Sequence, residues 1–274
     1  MLKAARYIGA DGSPRIGAVY GNWLIDAGPA GPGGFLPTPE NWRQLAGVSG
    51  SVHALEDVTL LTPVDPSKVL CIGLNYLQHA RESNLEPPEH PLVFSKVASS
   101  LLPHNGVITV PAHESHPDWE AEVAVVIGTR ASRITPEHAT AHIGGITALN
   151  DITGRDAQMG DGQWTRGKGY DTFCPLGPVI APSTDIDLGN IALACRVSGE
   201  VVQSASTDDL IFDIPYIVSY LSWQFTLEPG DVIATGTPSG IGYAMSPRRS
   251  LQDGDVVEVW VEGVGTLTNT VNRS

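Results

Sequence analysis

The chain has little positive charge and little cysteine. Its 274 residues include 16 Lys and Arg, only four of them lysine, against 30 Asp and Glu, so the formal net charge is −14. Nucleic acids and anionic membranes attract clustered basic residues, and neither is therefore an expected partner. The three cysteines, Cys71, Cys174 and Cys195, lie in apolar surroundings, which favours buried thiols over disulfides or a zinc site.

Long apolar runs are also absent. No stretch approaches the roughly 20 residues that a membrane span needs, and the start, MLKAARYIGADG, lacks the apolar run of a signal peptide. We therefore expect a cytoplasmic protein. A hydrophobic content of 42% and a charged content of 17% are typical of a soluble globular chain.

Glycine and proline are abundant, with 30 and 21 residues, and they separate many short runs of Val, Ile and Leu. This pattern predicts short strands joined by turns in a mixed, mostly β fold, as a rolled sheet or barrel. Residues 1–65 form a predicted small β-rich domain, and residues 66–274 the main domain, with the boundary at the prolines of LLTPVDPSK. Helices are predicted in ENWRQLAG and in DDLIFDIPYIVSYLSWQF.

The stretch DWEAEVAVVIG opens an apolar run with two glutamates. Side chains two residues apart in a strand share a face, so Glu120 and Glu122 would lie on one side with Cα atoms about 6.6 Å apart. Asp151 ends a second apolar run, IGGITALND. Three carboxylates at strand ends suit Mg²⁺ or Mn²⁺, which prefer oxygen ligands and keep open positions for substrate. A solvated strand end for the glutamates and a turn or cap for Asp151 remain alternatives.

A rival metal site lies just upstream, in PAHESHPDWEAE. His113 and His116 could hold zinc together with the glutamates. We favour the carboxylate set because a proline-rich loop holds ligands poorly, whereas Asp151 completes a set made only of oxygen atoms.

Basic and amide side chains follow Asp151. Arg155 and Gln158 lie four and seven residues after it, on one face if DITGRDAQ is helical. Lys168 is flanked by glycines in GQWTRGKGYD. The alternatives are that Arg155 only pairs with Asp151 and that Lys168 is an exposed loop residue.

A possible acid/base pair lies in VLCIGLNYLQHARE, a predicted strand, an Asn75 cap and a helix. His79 and Glu82 are three residues apart, and a carboxylate on one imidazole nitrogen makes the other a better base. A surface pair on a solvated helix is the alternative. The loop IATGTPSGIG offers Thr237 and backbone N–H groups for a substrate carboxylate, although a tight structural turn explains it almost as well.

Together these segments resemble the fumarylacetoacetate hydrolase family. The resemblance rests on GLNYLQHARE, PLVFSKVASSL, DWEAEVAVVIG, ALNDITGRDAQ, GKGYDTFCPLGPVI, LEPGDVIATGTPSGIG and LQDGDVVEVWVEGVGTLTN. These stretches run in order from about residue 69 to the C-terminus. The paired glutamates alone are a weak signal, but this ordered set is highly specific.

The resemblance implies a family-type β-roll with a small, variable N-terminal part and a homodimeric assembly. It implies a divalent metal, usually magnesium and sometimes manganese or calcium, held by Glu120, Glu122 and Asp151. The remaining implied roles are an acid/base dyad and pocket residues, namely His79 and Glu82 for the dyad and Arg155, Gln158, Lys168 and Thr237 for the pocket. The departures are mild: Val97, Gly154, Gly169 and Tyr170 replace residues frequent in relatives.

The reaction that these residues suit best is cleavage of a carbon–carbon bond in a 2,4-dioxo acid, such as an acylpyruvate or fumarylpyruvate, as in aromatic catabolism. His79 and Glu82 would activate water, while the metal and Lys168 would stabilise the departing enolate. The same site could decarboxylate oxaloacetate, isomerise or hydrate an unsaturated 2-oxo diacid, or cleave a ureidoglycolate-like compound. A non-catalytic binding module is the alternative from another class, and the intact set of candidate residues argues against it.

Overall fold

The computed structural model describes residues 1–273, which form a sheet-rich fold with short helices. The strands are β1 (Leu2–Ile8), β2 (Pro14–Tyr20), β3 (Trp23–Pro29), β4 (Val52–Ala54), β5 (Val69–Gly73), β6 (Leu92–Lys96), β7 (Leu101–Leu102), β8 (Val107–Val110), β9 (Pro117–Asp118), β10 (Ala121–Ile127), β11 (Ile143–Asn150), β12 (Thr153–Gly154), β13 (Cys174–Pro182), β14 (Ala192–Val197), β15 (Glu200–Ser206), β16 (Val232–Ala234), β17 (Val256–Val261) and β18 (Gly265–Arg273). The α-helices are α1 (Pro39–Ala46), α2 (Leu77–Glu82), α3 (Pro136–Ala139), α4 (Arg155–Asp161), α5 (Trp164–Lys168) and α6 (Ile214–Gln224).

Two sheets carry the fold. The larger runs in the order β4-β3-β2-β1-β13-β11-β10-β16-β5-β6, with β7 attached to β13, and the smaller runs β15-β14-β17-β18-β8. Most pairs are antiparallel; β16–β5, β13–β7 and β18–β8 are parallel. The mixed, β-rich fold is therefore confirmed, but its described sheets are open rather than closed into a barrel.

Burial explains which strands are central. Every residue of β10 and of β13 is buried, as expected for apolar strands covered on both faces. In β17, by contrast, Val257, Val259 and Val261 are buried while the residues between them are partly or fully exposed. That alternation is the one predicted for a strand with one wet face.

The two predicted helices form at the expected positions, but one of them is shorter than predicted. The helix predicted in ENWRQLAG is α1, and the Oγ1 of Thr38 caps it by accepting from the N–H of Asn41. The predicted long helix is shorter, because Asp213 accepts a hydrogen bond from the N–H of Tyr216 at 2.8 Å and starts α6 there. None of the described helices combines the length and hydropathy needed to cross a bilayer.

The N-terminal strands extend the larger sheet. Strand β1 pairs antiparallel with β13, with Ala4 opposite Ile180. Hydrogen bonding is thus continuous across the predicted boundary near residue 65, and the division into two domains stays a prediction. The neighbouring strands β11, β10, β16 and β5 carry the candidate site at their common end.

Candidate metal centre and active site

The three predicted carboxylates meet at one point. Strands β10 and β11 are antiparallel with Ala121 opposite Asn150, so Glu120, Glu122 and Asp151 leave the pair at the same end. One carboxylate oxygen from each lies within 4.8 Å of the others. All three residues are buried, between 0% and 6% exposed, so they form neither a solvated strand end nor a surface turn.

Two buried lysines contact two members of this cluster, Glu120 and Asp151. The Nζ of Lys168 donates to Glu120 at 2.6 Å, to Asp151 at 2.8 Å and to the Oγ1 of Thr153 at 2.8 Å. The Nζ of Lys96 donates to the other oxygen of Asp151 at 2.5 Å. Lys168 ends helix α5 and is 2% exposed, so the alternative of an exposed loop lysine is wrong.

Arg155 holds Glu120 from the other side. Its guanidinium donates to Asp118 at 2.7 and 3.0 Å, lies 2.8 Å from Glu120, and donates to the Oε1 of Gln158 at 2.9 Å. Helix α4 begins at Arg155, because Thr153 and its neighbour pair with β9. The predicted helical face shared with Asp151 is therefore wrong, although Arg155 and Gln158 do share a face.

The charges of this network are uneven. Its buried members are four carboxylates and three cations, namely Asp118, Glu120, Glu122 and Asp151 with Lys96, Arg155 and Lys168. Glu122 has no cation within ion-pair distance among the described residues; it accepts from the N–H of Gly236 at 2.7 Å. Burial, Asp151 and Glu120 therefore raise the pKa of Glu122 well above its usual range.

Glu120 shows the opposite effect. Burial alone would raise its pKa, but Lys168 and Arg155 outweigh that effect and lower the pKa to about 2. The cluster thus holds one firmly ionised carboxylate beside one that lacks a positive partner. A set of three carboxylate oxygens short of positive charge fits a hard divalent cation such as Mg²⁺ or Mn²⁺.

We expect Asp118→Ala to lower the free energy of unfolding by about 3–5 kcal/mol, because it leaves the buried guanidinium of Arg155 without its main partner. Urea denaturation measures the change. Asp156→Ala is the control, since Asp156 pairs with His116 on the surface, where about 0–1 kcal/mol is expected. Equal losses in both variants would contradict a structural role for the buried pair.

The two residues of the predicted dyad are also close together. On helix α2 the Nδ1 of His79 lies 3.3 Å from Glu82, whose second oxygen accepts from the N–H of Gly240 at 2.9 Å. His79 is 8% exposed, so it does not belong to a solvated surface pair. The expected Asn75 cap is wrong: its side chain bonds the backbone of Phe212 and Thr235.

The loop after β16 connects the two halves of the site. The N–H of Gly236 binds Glu122, and that of Gly240 binds Glu82. Both glycines have positive φ, +110° and +101°, and a Cβ on Gly240 would lie 2.0 Å from the carbonyl oxygen of Val202. These two amides, expected to bind substrate, bind protein carboxylates instead.

A cavity of about 540 Å³ brings the predicted residues together. Those that line it are His79, Glu82, Glu120, Glu122, Arg155, Gln158, Lys168 and Thr237. Asp151 does not line it. The rival histidines are elsewhere: His113 bonds Tyr170, His116 bonds Asp156, and the carboxylate triad is the single metal-capable group of three found in residues 1–273.

Sequence reasoning missed three members of the site. Asp118 holds Arg155, Lys96 holds Asp151, and Gln203 donates to the Oγ1 of Thr237 at 2.9 Å. Asp118 precedes Glu120 by two residues, so the same alternation that selected the glutamates could have included it. Lys96 is one of only four lysines. No local signal points to Gln203.

Comparison with known proteins identifies relatives of this chain. The model of the fumarylacetoacetate (FAA) hydrolase C-terminal domain matches residues 68–272. A protein of Methanocaldococcus jannaschii is 45% identical over 76% of this chain and 84% of its own length. The mitochondrial oxaloacetate tautomerase FAHD2A of Bos taurus is 43% identical over 78% of this chain and 70% of its own length.

A solved structure extends the likeness to nearly the whole chain. The 5-carboxymethyl-2-hydroxymuconate delta-isomerase of Mycobacterium smegmatis is 36% identical, with a TM-score of 0.84, over 99% of this chain and 100% of its own. The family match covers well over half of the sequence and contains every residue of the carboxylate triad and the dyad. The chain belongs to the fumarylacetoacetate hydrolase family of enzymes.

Proposed function

We propose that this enzyme binds a 2-oxo acid and moves a proton at the carbon next to the 2-oxo group, which interconverts keto and enol forms. The observation that carries the proposal is that one cavity presents two carboxylates of the triad, Glu120 and Glu122, together with the His79–Glu82 dyad. The similarity to a protein named tautomerase and to one named delta-isomerase supports it. Each name describes a rearrangement rather than a hydrolysis.

Glu120, Glu122 and Asp151 would hold a divalent cation, magnesium or manganese. When bound, such a cation would supply Lewis acidity, which stabilises negative charge that develops on a 2-oxo acid. A divalent cation would also turn the single excess negative charge of the buried network into a single positive one. An anionic 2-oxo acid then compensates that charge, which explains how so acidic a protein holds an anion.

His79 is the proposed base. Its Nδ1 faces Glu82, so the ring carries its proton there and leaves Nε2 to accept a proton from the substrate. Glu82 is fixed by the N–H of Gly240, which keeps the imidazole oriented toward the cavity. After transfer, the same ring returns the proton to oxygen or to another carbon, and this choice distinguishes tautomerisation from double-bond isomerisation.

Gln158 and Lys168 would position the anion. The Oε1 of Gln158 accepts from Arg155, while its amide nitrogen has no partner among the described residues and is free to donate to a substrate carboxylate. All three N–H bonds of Lys168 are used by Glu120, Asp151 and Thr153, so Lys168 acts through its charge. Thr237, whose hydroxyl donates to the carbonyl of Ala121, lines the cavity beside them.

Hydrolytic cleavage of a 2,4-dioxo acid is the second candidate. It requires the dyad to deprotonate water rather than carbon, and the observation that favours it is the size of the cavity. A volume of about 540 Å³ leaves room for a water beside a small substrate. Acylpyruvate or fumarylpyruvate would be its substrate.

A substrate panel separates the two candidates. We expect oxaloacetate and acetylpyruvate to exchange keto and enol forms faster with enzyme and Mg²⁺ or Mn²⁺ than with metal alone, and EDTA to abolish the difference. Ultraviolet absorbance of the enol reports exchange, and coupled lactate dehydrogenase reports pyruvate release. Pyruvate and acetate from acetylpyruvate would assign hydrolysis instead. No metal-dependent conversion of any member would refute both assignments.

We also propose that the enzyme is a homodimer. The outer strand of the larger sheet, β6, leaves Leu92 and Val93 exposed at 42% and 38%, and both line one surface pocket with Phe225, which is 41% exposed. Apolar side chains on an unpaired strand edge favour association with another chain. Light scattering after size-exclusion chromatography is expected to give twice the mass of 29.0 kDa.

A further inference from the structure

Charged and apolar side chains both line the cavity. The apolar side chains include Leu74, Leu85, Leu92, Met159, Ile241 and Met245. A four-carbon acid such as oxaloacetate would occupy only a small part of about 540 Å³. The remaining volume accommodates a substrate tail, and the lining residues decide which tail it accepts.

Arg248 is a cavity-lining cation without a hydrogen-bond or ion-pair partner in the part of the chain that the structure describes. Glu82, Glu120, Glu122, Arg155 and Lys168 all make hydrogen bonds or ion pairs within the site. For Arg248 the structure shows neither a hydrogen bond nor an acidic partner within residues 1–273. It is an exposed residue that lines the cavity.

Arg248 is nevertheless held in place. Its guanidinium carbon lies 3.9 Å from the centre of the Tyr243 ring, a stacked cation–π contact. A guanidinium stacked in this way keeps its N–H edges free, and those edges match a carboxylate in a bidentate pair.

Tyr243 ties this cation to the charged network. Its N–H donates to Asp118 at 3.0 Å, and its ring lies 5.7 Å from the guanidinium carbon of Arg155. The ring therefore lies near two arginines. Arg155 is fully paired, and Arg248 is not. The segment that follows is closed by the N–H of Arg249, which donates to the carbonyl of Gly242 at 3.0 Å.

We propose that Arg248, seated on Tyr243, pairs with a second carboxylate at the far end of the substrate. The enzyme then prefers 2-oxo acids that carry a distal carboxylate beyond an apolar segment to matched monoacids. This specificity rests on the proposed function, since the other end of such a substrate is the 2-oxo acid group at the triad. It assigns Arg248 a role in substrate choice and none in proton transfer.

Two pairs of matched compounds test the role of Arg248. Binding is measured by isothermal titration calorimetry with Mg²⁺, using 2-oxoheptanedioate and 2-oxoheptanoate, which differ in the terminal carboxylate and lack a 4-oxo group to cleave. We expect the wild-type protein to bind the diacid about tenfold more tightly, the effect of one charged hydrogen-bonded contact near solvent. Arg248→Gln should bring the ratio close to one.

Arg249→Gln is the matched control. Arg249 is the adjacent arginine, pairs with Glu200 and does not line the cavity, so the diacid preference should survive its loss. A second variant, Tyr243→Leu, removes the stacking surface and should weaken the preference while Arg248 keeps its charge. A preference retained in Arg248→Gln, or absent from the wild-type protein, would overturn the proposal.

Turnover is measured separately with 2,4-dioxoheptanedioate and 2,4-dioxoheptanoate. If the wild-type protein converts neither compound, the proposed function fails, while the binding ratio still decides the role of Arg248. If it converts both with equal kcat/KM and Arg248→Gln changes nothing, the proposed function stands and the distal subsite is refuted.

Discussion

In the Glu122→Gln variant, Mg²⁺ is expected to give no rise in melting temperature, whereas it raises that of the wild-type protein. We also expect metal-dependent turnover to fall about a thousandfold. Glutamine keeps an acceptor for the N–H of Gly236 but offers the cation no charge. In EDTA the variant should be at least as stable as the wild-type protein, because it removes a buried carboxylate that has no ion-pair partner within residues 1–273 and whose pKa is raised by burial, Asp151 and Glu120.

Thermal unfolding with Mg²⁺ and with EDTA measures both effects of this change. Glu228→Gln is the control, since it makes the same substitution at a surface residue that pairs with Arg130. The control should retain the full Mg²⁺ response. A normal Mg²⁺ response in Glu122→Gln would show that the cation binds elsewhere.

Asparagine in place of His79 is expected to separate catalysis from metal binding. Loss of the imidazole removes the proposed base, and we expect turnover to fall about 10²- to 10⁴-fold while the Mg²⁺ response stays intact. Glu82→Gln should cost less, because it disturbs the orientation of the ring and leaves the base present.

Turnover of each substrate and thermal shift of each variant are measured side by side. His116→Asn serves as control, because it makes the same substitution outside the cavity, where His116 pairs with Asp156. Full turnover in His79→Asn would remove the dyad from the mechanism. A lost Mg²⁺ response would place His79 among the groups that support the metal.

The carboxylate triad was predictable because its signal is local. Glu120 and Glu122 follow the two-residue period of a strand, and Asp151 marks the end of another apolar run. The pairing of β10 with β11 then places these ends together. His79 and Glu82 were predictable for a similar reason, since three residues of helix determine their spacing.

The charge balance of the site was not predictable, because it depends on contacts that are distant in sequence. Lys96 reaches Asp151 across 55 residues, and Lys168 reaches Glu120 across 48. Only the folded chain brings these groups together. Local sequence patterns therefore left open that Lys168 is an exposed loop residue, and they predicted no role for Lys96.

Local patterns also failed where tertiary pairing overrides helix formation. Thr153 and Gly154 form a short strand with β9, which delays the helix until Arg155 and removes Asp151 from its face. In the same way, the pairing of β1 with β13 joins segments that lie some 176 positions apart. Neither pairing has a signature in either segment alone.

The loop that carries Gly236 and Gly240 has a consequence for how this enzyme can diversify. One amide fixes a proposed metal ligand and the other fixes the partner of the proposed base. A mutation that moves this loop therefore alters the affinity for the metal and the orientation of the base together, so these two properties change together during evolution. Substitution of Arg248 and of the apolar residues that line the cavity is a more direct route to new substrate ranges. Laboratory evolution should therefore randomise those positions and leave residues 235–240 unchanged.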